Sequence, residues 1–238
     1  SSSPIVIKGH VNGSSYQTSF LEQGSALRTS QIGGFDLGFD FTYFLANEGE
    51  LNYGINLSGF NVDFETYNEV NRKISNKNWS TEIGAFMSYR YVSTRWVIQP
   101  SIRFQAYASL STISPEPRLG IKFNASDKLR FKMSGGRFSQ NFTSASSDKD
   151  IVNLFNGLLS APTDVQSTFI TQYQNEKNPR NGLQYAWHAI FGLEYDLTKK
   201  LSLNLEGYYK YFSQLSNINQ NKIYENDDSF PDIDDVYK

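Results

Sequence analysis

The chain of 238 residues has no cysteine, only two histidines, and no apolar run long enough for a membrane-spanning helix. Without cysteine, disulfide bonds, thiol redox chemistry and cysteine-ligated zinc are excluded. His10 and His188 are far apart in the sequence and have no local neighbours at metal-ligand spacing, so no metal site is predicted. The formal net charge is −2, from 22 basic and 24 acidic residues, which argues against nucleic acid as a partner.

Catalytic motifs are also missing. No Gly-x-Ser-x-Gly element marks a nucleophile. Asp36 and Asp40 are two strand steps apart, which fits solvated charges better than the carboxylate pair of a glycosidase. The acidic residues Asp232, Asp234 and Asp235 do not follow the spacing of an EF-hand calcium loop. The sequence therefore predicts no catalytic residue, no cofactor and no metal, and the protein is not expected to be an enzyme.

Aromatic residues are abundant instead, with 18 Phe and 15 Tyr, and many lie in runs where apolar and polar residues alternate. Alternation with a period of two predicts half-buried β-strands. The clearest runs are Phe35–Leu45, Leu51–Leu57, Trp187–Leu197 and Leu201–Tyr211, and a weaker one covers Ile5–Phe20. With the runs between them, the sequence predicts nine antiparallel strands.

The connections between these strands alternate in length. Short turns are predicted at 47–50, 93–95, 126–128 and 198–200. Longer polar links are predicted at about 21–30, 67–78, 109–114, 141–182 and 213–235. Short turns at one end and long loops at the other are typical of a transmembrane β-barrel, whose tilted strands need about 9–11 residues to cross the membrane.

A soluble antiparallel sandwich or a lipocalin-like barrel also has alternating strands. Two features favour the membrane barrel. The polar positions carry Gly, Asn, Ser and charges of both signs, and aromatic residues gather at strand ends, as in interfacial girdles. The girdle candidates are Tyr43, Tyr89, Tyr91, Trp96, Tyr195 and Tyr211.

Two stretches resemble barrel segments of TonB-dependent outer-membrane receptors. The first, within Pro115–Gln140, is PEPRLGIKF, then the turn SDK, then LRFKMSGGRFSQ. The second, His188–Leu215, is HAIFGLEYDLTKKLSLNLEGYYKYFSQL and looks like a later hairpin of the same barrels. The frequent use of Asn, Lys, Ile and Tyr resembles receptors from the Bacteroidetes.

The resemblance implies a 22-stranded outer-membrane barrel closed around an amino-terminal plug. About nine strands are predicted here, without an identifiable plug or TonB box, so residues 1–238 are expected to be one domain, a partial barrel of a larger receptor. Membrane lipid and lipopolysaccharide are implied partners, as is TonB, acting through a plug outside this chain. The implied function is active import of a nutrient, which is a siderophore, a glycan or a peptide.

In such a barrel, alternate residues face lipid and lumen. The predicted lipid-facing residues are Leu119, Ile121, Phe123, Leu129, Phe131, Met133, Leu201, Leu203 and Leu205. The predicted lumen-facing residues are Arg103, Arg118, Lys122, Arg130, Lys132, His188, Glu194 and Glu206.

The links at 141–182 and 213–235 are expected to be extracellular loops. Ile151–Ala161, an apolar stretch with the pattern of helical turns, is expected either to meet substrate or a surface lipoprotein, or to pack the loop over the barrel rim. Alternative functions also remain open at this stage: a passive porin or channel, a barrel enzyme, or a scaffold in a secretion or motility assembly.

Overall fold

The computed structural model describes residues 4–21, 26–45, 49–67, 73–144, 158–160, 169–170, 176–177 and 181–215. Within these ranges the protein is all-β, apart from one short 3-10 turn at Ala108–Leu110. The strands are β1 Ile5–Phe20, β2 Arg28–Phe44, β3 Glu50–Tyr67, β4 Lys73–Val92, β5 Trp96–Tyr107, β6 Thr112–Asn124, β7 Leu129–Gln140, β8 Phe142–Ser144, β9 Leu158–Ser160, β10 Phe169–Ile170, β11 Glu176–Lys177, β12 Gln184–Thr198 and β13 Leu201–Gln214.

Nine of these strands form one antiparallel sheet in the order β1-β2-β3-β4-β5-β6-β7-β12-β13. This confirms the predicted number of strands and their meander topology. The pairs β8–β9 and β10–β11 form separate two-stranded units within the long connection between β7 and β12. In the part of the chain described, no helix is long and apolar enough to cross a membrane.

The short turns lie where polar residues interrupt the alternation. In the β6–β7 turn, the Ser126 hydroxyl accepts hydrogen bonds from the backbone N–H groups of Lys128 and Leu129, at 3.3 and 3.1 Å. In the β12–β13 turn, Thr198 Oγ1 accepts from the backbone N–H of Lys200 at 3.2 Å. These side chains satisfy backbone donors that a tight turn leaves without a strand partner.

The register divides the sheet into two faces, because directly paired residues lie on the same side and successive residues alternate. We call the side that carries Ile55 of β3 face A, and the side that carries Asn56 face B. Ile55 pairs with Phe39 of β2 and Ala85 of β4, whereas Asn56 pairs with two glycines. Exposed aromatic and aliphatic residues extend along face A from β2 to β13: Phe39, Tyr53, Ile83, Met87, Trp96, Phe104, Leu119, Phe131, Met133, Phe191, Leu203 and Leu205.

The polarity of the two faces is inverted near one end of β3. On β3, face A is apolar from Leu51 to Leu57. We call this segment, together with the residues beside it on the other strands of the sheet, the apolar band. Beyond it, face A carries Asn61, Asp63 and Glu65. We call residues 28–34, 59–67 and 73–81 the upper segment. In it, face B of β3 carries Phe60, Val62 and Phe64, and Val62 is completely buried.

The predicted strand bounds were wrong at several ends, where polar residues occupy both faces and the alternation is lost. Residues 28–30, 67 and 73–78 were assigned to polar links, but they belong to β2, β3 and β4, and residues 112–114 begin β6. β4 has 20 residues, about twice the number needed to cross a membrane. The apolar residues change faces within one strand, so a single alternating pattern ends although the strand continues.

The predicted helical turns of Ile151–Ala161 are wrong for the residues that can be compared. Leu158–Ser160 forms β9, which pairs with β8. The rest of that stretch, and all of 216–235, lies outside the described residues. The backbone of β9 also contacts β2, β3 and β4, and the Phe142 ring at the start of β8 lies 4.0 Å from that of Phe60 on face B of β3. The β8–β9 hairpin therefore packs against the upper segment.

Candidate functional site

Face B collects the charged residues that the sequence singled out. All eight predicted lumen-facing residues lie on it, by register or by alternation along their strand: Arg103, Arg118, Lys122, Arg130, Lys132, His188, Glu194 and Glu206. The nine predicted lipid-facing residues lie on face A. Leu201 follows a register shift and pairs with Thr198, while the alternation of β13 keeps it on the side of Leu203.

The first cluster on face B surrounds Arg103 of β5. Its guanidinium donates from Nε to Gln105 Oε1 at 2.9 Å and from Nη2 to Asn56 Oδ1 at 3.2 Å. Gln105 in turn donates from Nε2 to Glu82 Oε2 at 2.9 Å. Gly84 leaves room for this network, because a Cβ at that position would lie 2.1 Å from Asn56 Oδ1. Three strands, β3, β4 and β5, are thus joined by side-chain hydrogen bonds.

The second cluster surrounds Glu116 of β6, which is only 4% exposed. Its carboxylate accepts from Arg118 Nη2 at 2.6 Å and from both the backbone N–H and the hydroxyl of Ser139, at 2.9 and 2.7 Å. Ser139 also lies 2.9 Å from the Tyr107 hydroxyl. Because both oxygens of the Glu116 carboxylate accept hydrogen bonds and one of the donors is a guanidinium, the buried charge is compensated.

Arg118 connects this carboxylate to an aromatic stack. Its guanidinium carbon lies 4.5 Å from the centre of the Phe138 ring, and that ring stacks on His188 with centroids 4.6 Å apart. A guanidinium over an aromatic face is attractive, and it fixes the orientation of the planar group. His188 is therefore held as a packing partner in this cluster.

The third cluster lies near the short-turn end. Arg130 donates to Glu194 at 3.1 Å and to Asp196 at 2.7 Å. Lys132 also contacts the Glu194 carboxylate. The four residues join β7 to β12 by ion pairs on face B.

Between these clusters, small residues leave shallow depressions. One of about 360 Å³ is bordered by Asn52, Ser88, Ser101, Arg103 and Arg118. A neighbouring one of about 390 Å³ reaches Lys122, Lys132 and Glu206. Among the described residues Arg103 and Lys122 form no ion pair, so their charges are available to a polar or anionic group that meets face B. The arrangement suits contact with water, solutes or a polar protein surface.

Sequence patterns did not identify the residues that organise these clusters. Glu82, Gln105 and Tyr107 looked like ordinary members of alternating strands, and only the register brings them together. The contact between His10 Nε2 and Asp36 Oδ1, at 2.8 Å, was also missed. One indication of this contact was present in the sequence: both residues occupy polar positions on adjacent predicted strands. Within the described ranges no group of three or more His, Cys, Asp or Glu residues could hold a metal ion.

A comparison with solved structures finds proteins with the same arrangement of strands. The chain is similar to a mutant form of the ferric enterobactin receptor PfeA from Pseudomonas aeruginosa over 88% of its length, with 9% identity and a TM-score of 0.61. The fold is that of part of a β-barrel wall. The complex of PfeA with BCV-L6 matches over 89% of the chain, with 11% identity and a TM-score of 0.62. The siderophore receptor PirA from Pseudomonas aeruginosa matches over 91%, with 10% identity and a TM-score of 0.55.

The chain spans 33% of each of the two PfeA structures and 42% of PirA. At this level of identity the likeness shows the fold alone: an antiparallel transmembrane β-barrel, of which nine strands lie in this chain. The matched proteins are named as receptors, PfeA for ferric enterobactin and PirA for a siderophore. No protein-family model and no curated protein sequence matches the chain.

Proposed function

We propose that the chain is part of the wall of a TonB-dependent receptor that actively imports a nutrient across the outer membrane. The observation that carries this proposal is the polarity of the sheet in the apolar band. Face A exposes aromatic and aliphatic side chains from strand to strand, while charges on face B pair with one another. A soluble sheet would expose its charges and cover its apolar side.

In this placement face A of the apolar band meets lipid and face B lines the lumen. The short turns lie in the periplasm, and the long connections lie outside the cell. The aromatic residues at the short-turn end of face A, Tyr43, Tyr89, Tyr91, Trp96 and Tyr195, then form the periplasmic girdle. Lipopolysaccharide would meet face A of the upper segment, and a surface lipoprotein would bind the long loops.

Neighbouring residues of β7 test this placement. Phe131 pairs with Phe123 and Leu193 on face A, and Lys132 pairs with Lys122 on face B. Phe131→Arg in the full-length protein is expected to impair barrel insertion, whereas Lys132→Ser is not; the cost of an arginine facing lipid is about 2–4 kcal/mol at mid-membrane and smaller toward the short turns. The folded fraction after refolding into lipid vesicles, read from heat-modifiable mobility, measures both. Equal losses from the two variants would contradict the assignment of the faces.

A ferric siderophore is the substrate class to test first, because PfeA is a ferric enterobactin receptor and PirA a siderophore receptor. Cells that make the full-length protein should accumulate a ferric siderophore only when TonB and the proton gradient are present. Uptake that persists without either would indicate a passive channel. TonB-dependent uptake of a glycan or a peptide instead would support the receptor proposal with a different substrate class. The residue usage supports a Bacteroidetes-type receptor within this proposal.

A further inference from the structure

Face A is not uniformly convex, because a groove runs across it from β5 to β13. It has a volume of about 670 Å³, within the range of cavities that hold small molecules. Most of its lining is apolar and belongs to face A; Lys132 and Glu206 of face B also border it. The face A residues used below are Trp96, Phe123, Phe131, Phe191, Leu205 and Gly207.

At its β13 side the groove is bordered by a glycine, which contributes no side chain. Gly207 pairs with Phe191, and a Cβ built at Gly207 would meet no atom within 4 Å. At the β5 side the rings of Trp96 and Phe123 pack together with centroids 4.3 Å apart. The groove therefore has an aromatic wall near the short turns and lacks a side chain at Gly207. An extended apolar chain fits such a shape.

Three neighbouring turns at the end of this groove carry unpaired cations. They hold Arg95, Lys128, Lys199 and Lys200, all exposed, and Asp127 is the acid among them. Backbone bonds hold adjacent turns together: Asn124 N donates to Arg95 O, and Asp196 N donates to Lys128 O, each at 2.8 Å. None of the four cations forms an ion pair with any described residue. At the same end of β3 and β4, by contrast, Glu50 pairs with Arg90 at 3.3 Å.

We propose that this groove and its basic turns bind one anionic glycerophospholipid of the leaflet at the short-turn end. The acyl chains lie along the groove, and the phosphate lies against the turn cations. Apolar burial and attraction between cations and an anionic headgroup act together at a membrane surface. The charge of the turns selects the headgroup, since a zwitterionic lipid adds a cation of its own. This inference rests on the membrane placement proposed above.

Lipid binding to the full-length protein, delipidated in detergent, tests the proposal by native mass spectrometry. The probes are dioleoylphosphatidylglycerol and dioleoylphosphatidylcholine, which share their acyl chains and differ in net charge. The unmodified protein should retain phosphatidylglycerol preferentially. Changing Arg95, Lys128, Lys199 and Lys200 to Gln together should lower that preference by about tenfold or more. Changing Lys73 and Lys77 to Gln is the matched charge control, because these lysines lie at the opposite end of β4 and should leave the preference unchanged.

A second pair of variants tests the groove separately from the charges. Gly207→Leu fills the groove and should lower the adducts of both lipids. Gly13→Leu is its control, since Gly13 lies on face A of the other edge strand, also with no atom within 4 Å of an added Cβ, and outside the groove. The proposal is overturned if both lipids bind equally, if the four-Gln variant keeps the preference, or if the two Leu variants behave alike. If Phe131→Arg still impairs insertion in the same preparations, the lipid-binding proposal fails but the membrane placement is supported.

Discussion

The apolar band and the upper segment are made of the same strands, yet they place apolar residues on opposite faces. In the band, β3 presents Tyr53 and Ile55 on face A and Asn56 on face B. Seven residues beyond Ile55, Val62 is buried on face B while Asp63 lies on face A. The backbone alternation does not change between the two regions. Only the polarity of the surroundings changes from the band to the upper segment.

The difference indicates what each region packs against. Face A of the upper segment carries the ion pairs Asp63–Lys77 at 3.2 Å and Glu65–Lys73 at 2.6 Å, which suit water and headgroups. The hydrogen bond from Lys73 to Glu65 raises the pKa of Lys73. On face B, Val62 and Phe64 are buried and Phe60 packs against Phe142. The upper segment therefore has an ordinary protein core, whereas the band is expected to rely on lipid.

The largest effect is expected from a charge in the core of the upper segment. Val62→Lys would bury a cation among apolar residues without a partner and should lower the free energy of unfolding by about 3–5 kcal/mol. Urea titration of the full-length protein in lipid vesicles measures it. Asn61→Lys, one residue earlier on face A, is the control and should be nearly neutral. A tolerated Val62→Lys would show that the upper segment has no such core.

The corresponding change in the band should act on the other face. Ile55→Lys places a cation in lipid and should cost about 2–4 kcal/mol in the same titration. Ser58→Lys is the matched change on face B, where Asp36 and Glu82 of the adjacent strands offer carboxylates. If Ser58→Lys costs as much as Ile55→Lys, face A does not meet lipid in the band.

A smaller effect is expected from the buried polar cluster. Glu116→Gln keeps the shape of the side chain but weakens its bonds to Arg118 and Ser139, and should cost about 1–3 kcal/mol. Glu206→Gln, a change of the same kind at an exposed residue of face B, should have little effect. Equal losses of unfolding free energy for the two variants would mean that the burial of Glu116 does not contribute to stability.

The smallest effect is expected at the surface of the upper segment. Asp63→Asn removes the ion pair with Lys77, whose side chain is mostly exposed, and should cost about 0–1 kcal/mol. Because salt screens exposed pairs, the difference from the unmodified protein should disappear in molar salt. A large loss of unfolding free energy that persists in molar salt would place Asp63 in an apolar environment, which would contradict the polar face A of the upper segment.

Most of the sheet could be predicted from the sequence, because period-two alternation is a local signal. The nine strands and the sharing of faces, such as Phe131 with Met133 and Lys122 with Lys132, followed from it. The strand ends could not be predicted, since the apolar residues change faces between Leu57 and Phe60. The cluster around Glu116 was also out of reach: Tyr107 and Ser139 are 32 residues apart and meet only through the register.

The most direct test of the account is a spin-label scan along β3, within a stretch of 238 residues that has no cysteine. Single cysteines from Leu51 to Glu65 of the full-length protein in vesicles would be labelled, and their collisions with oxygen and with a water-soluble nickel complex compared. Odd-numbered labels should favour oxygen from Leu51 to Leu57 and nickel from Asn61 to Glu65, with Val62 protected from both. The account would be contradicted by oxygen contact at the odd-numbered positions as far as Glu65, or by nickel contact at Ile55.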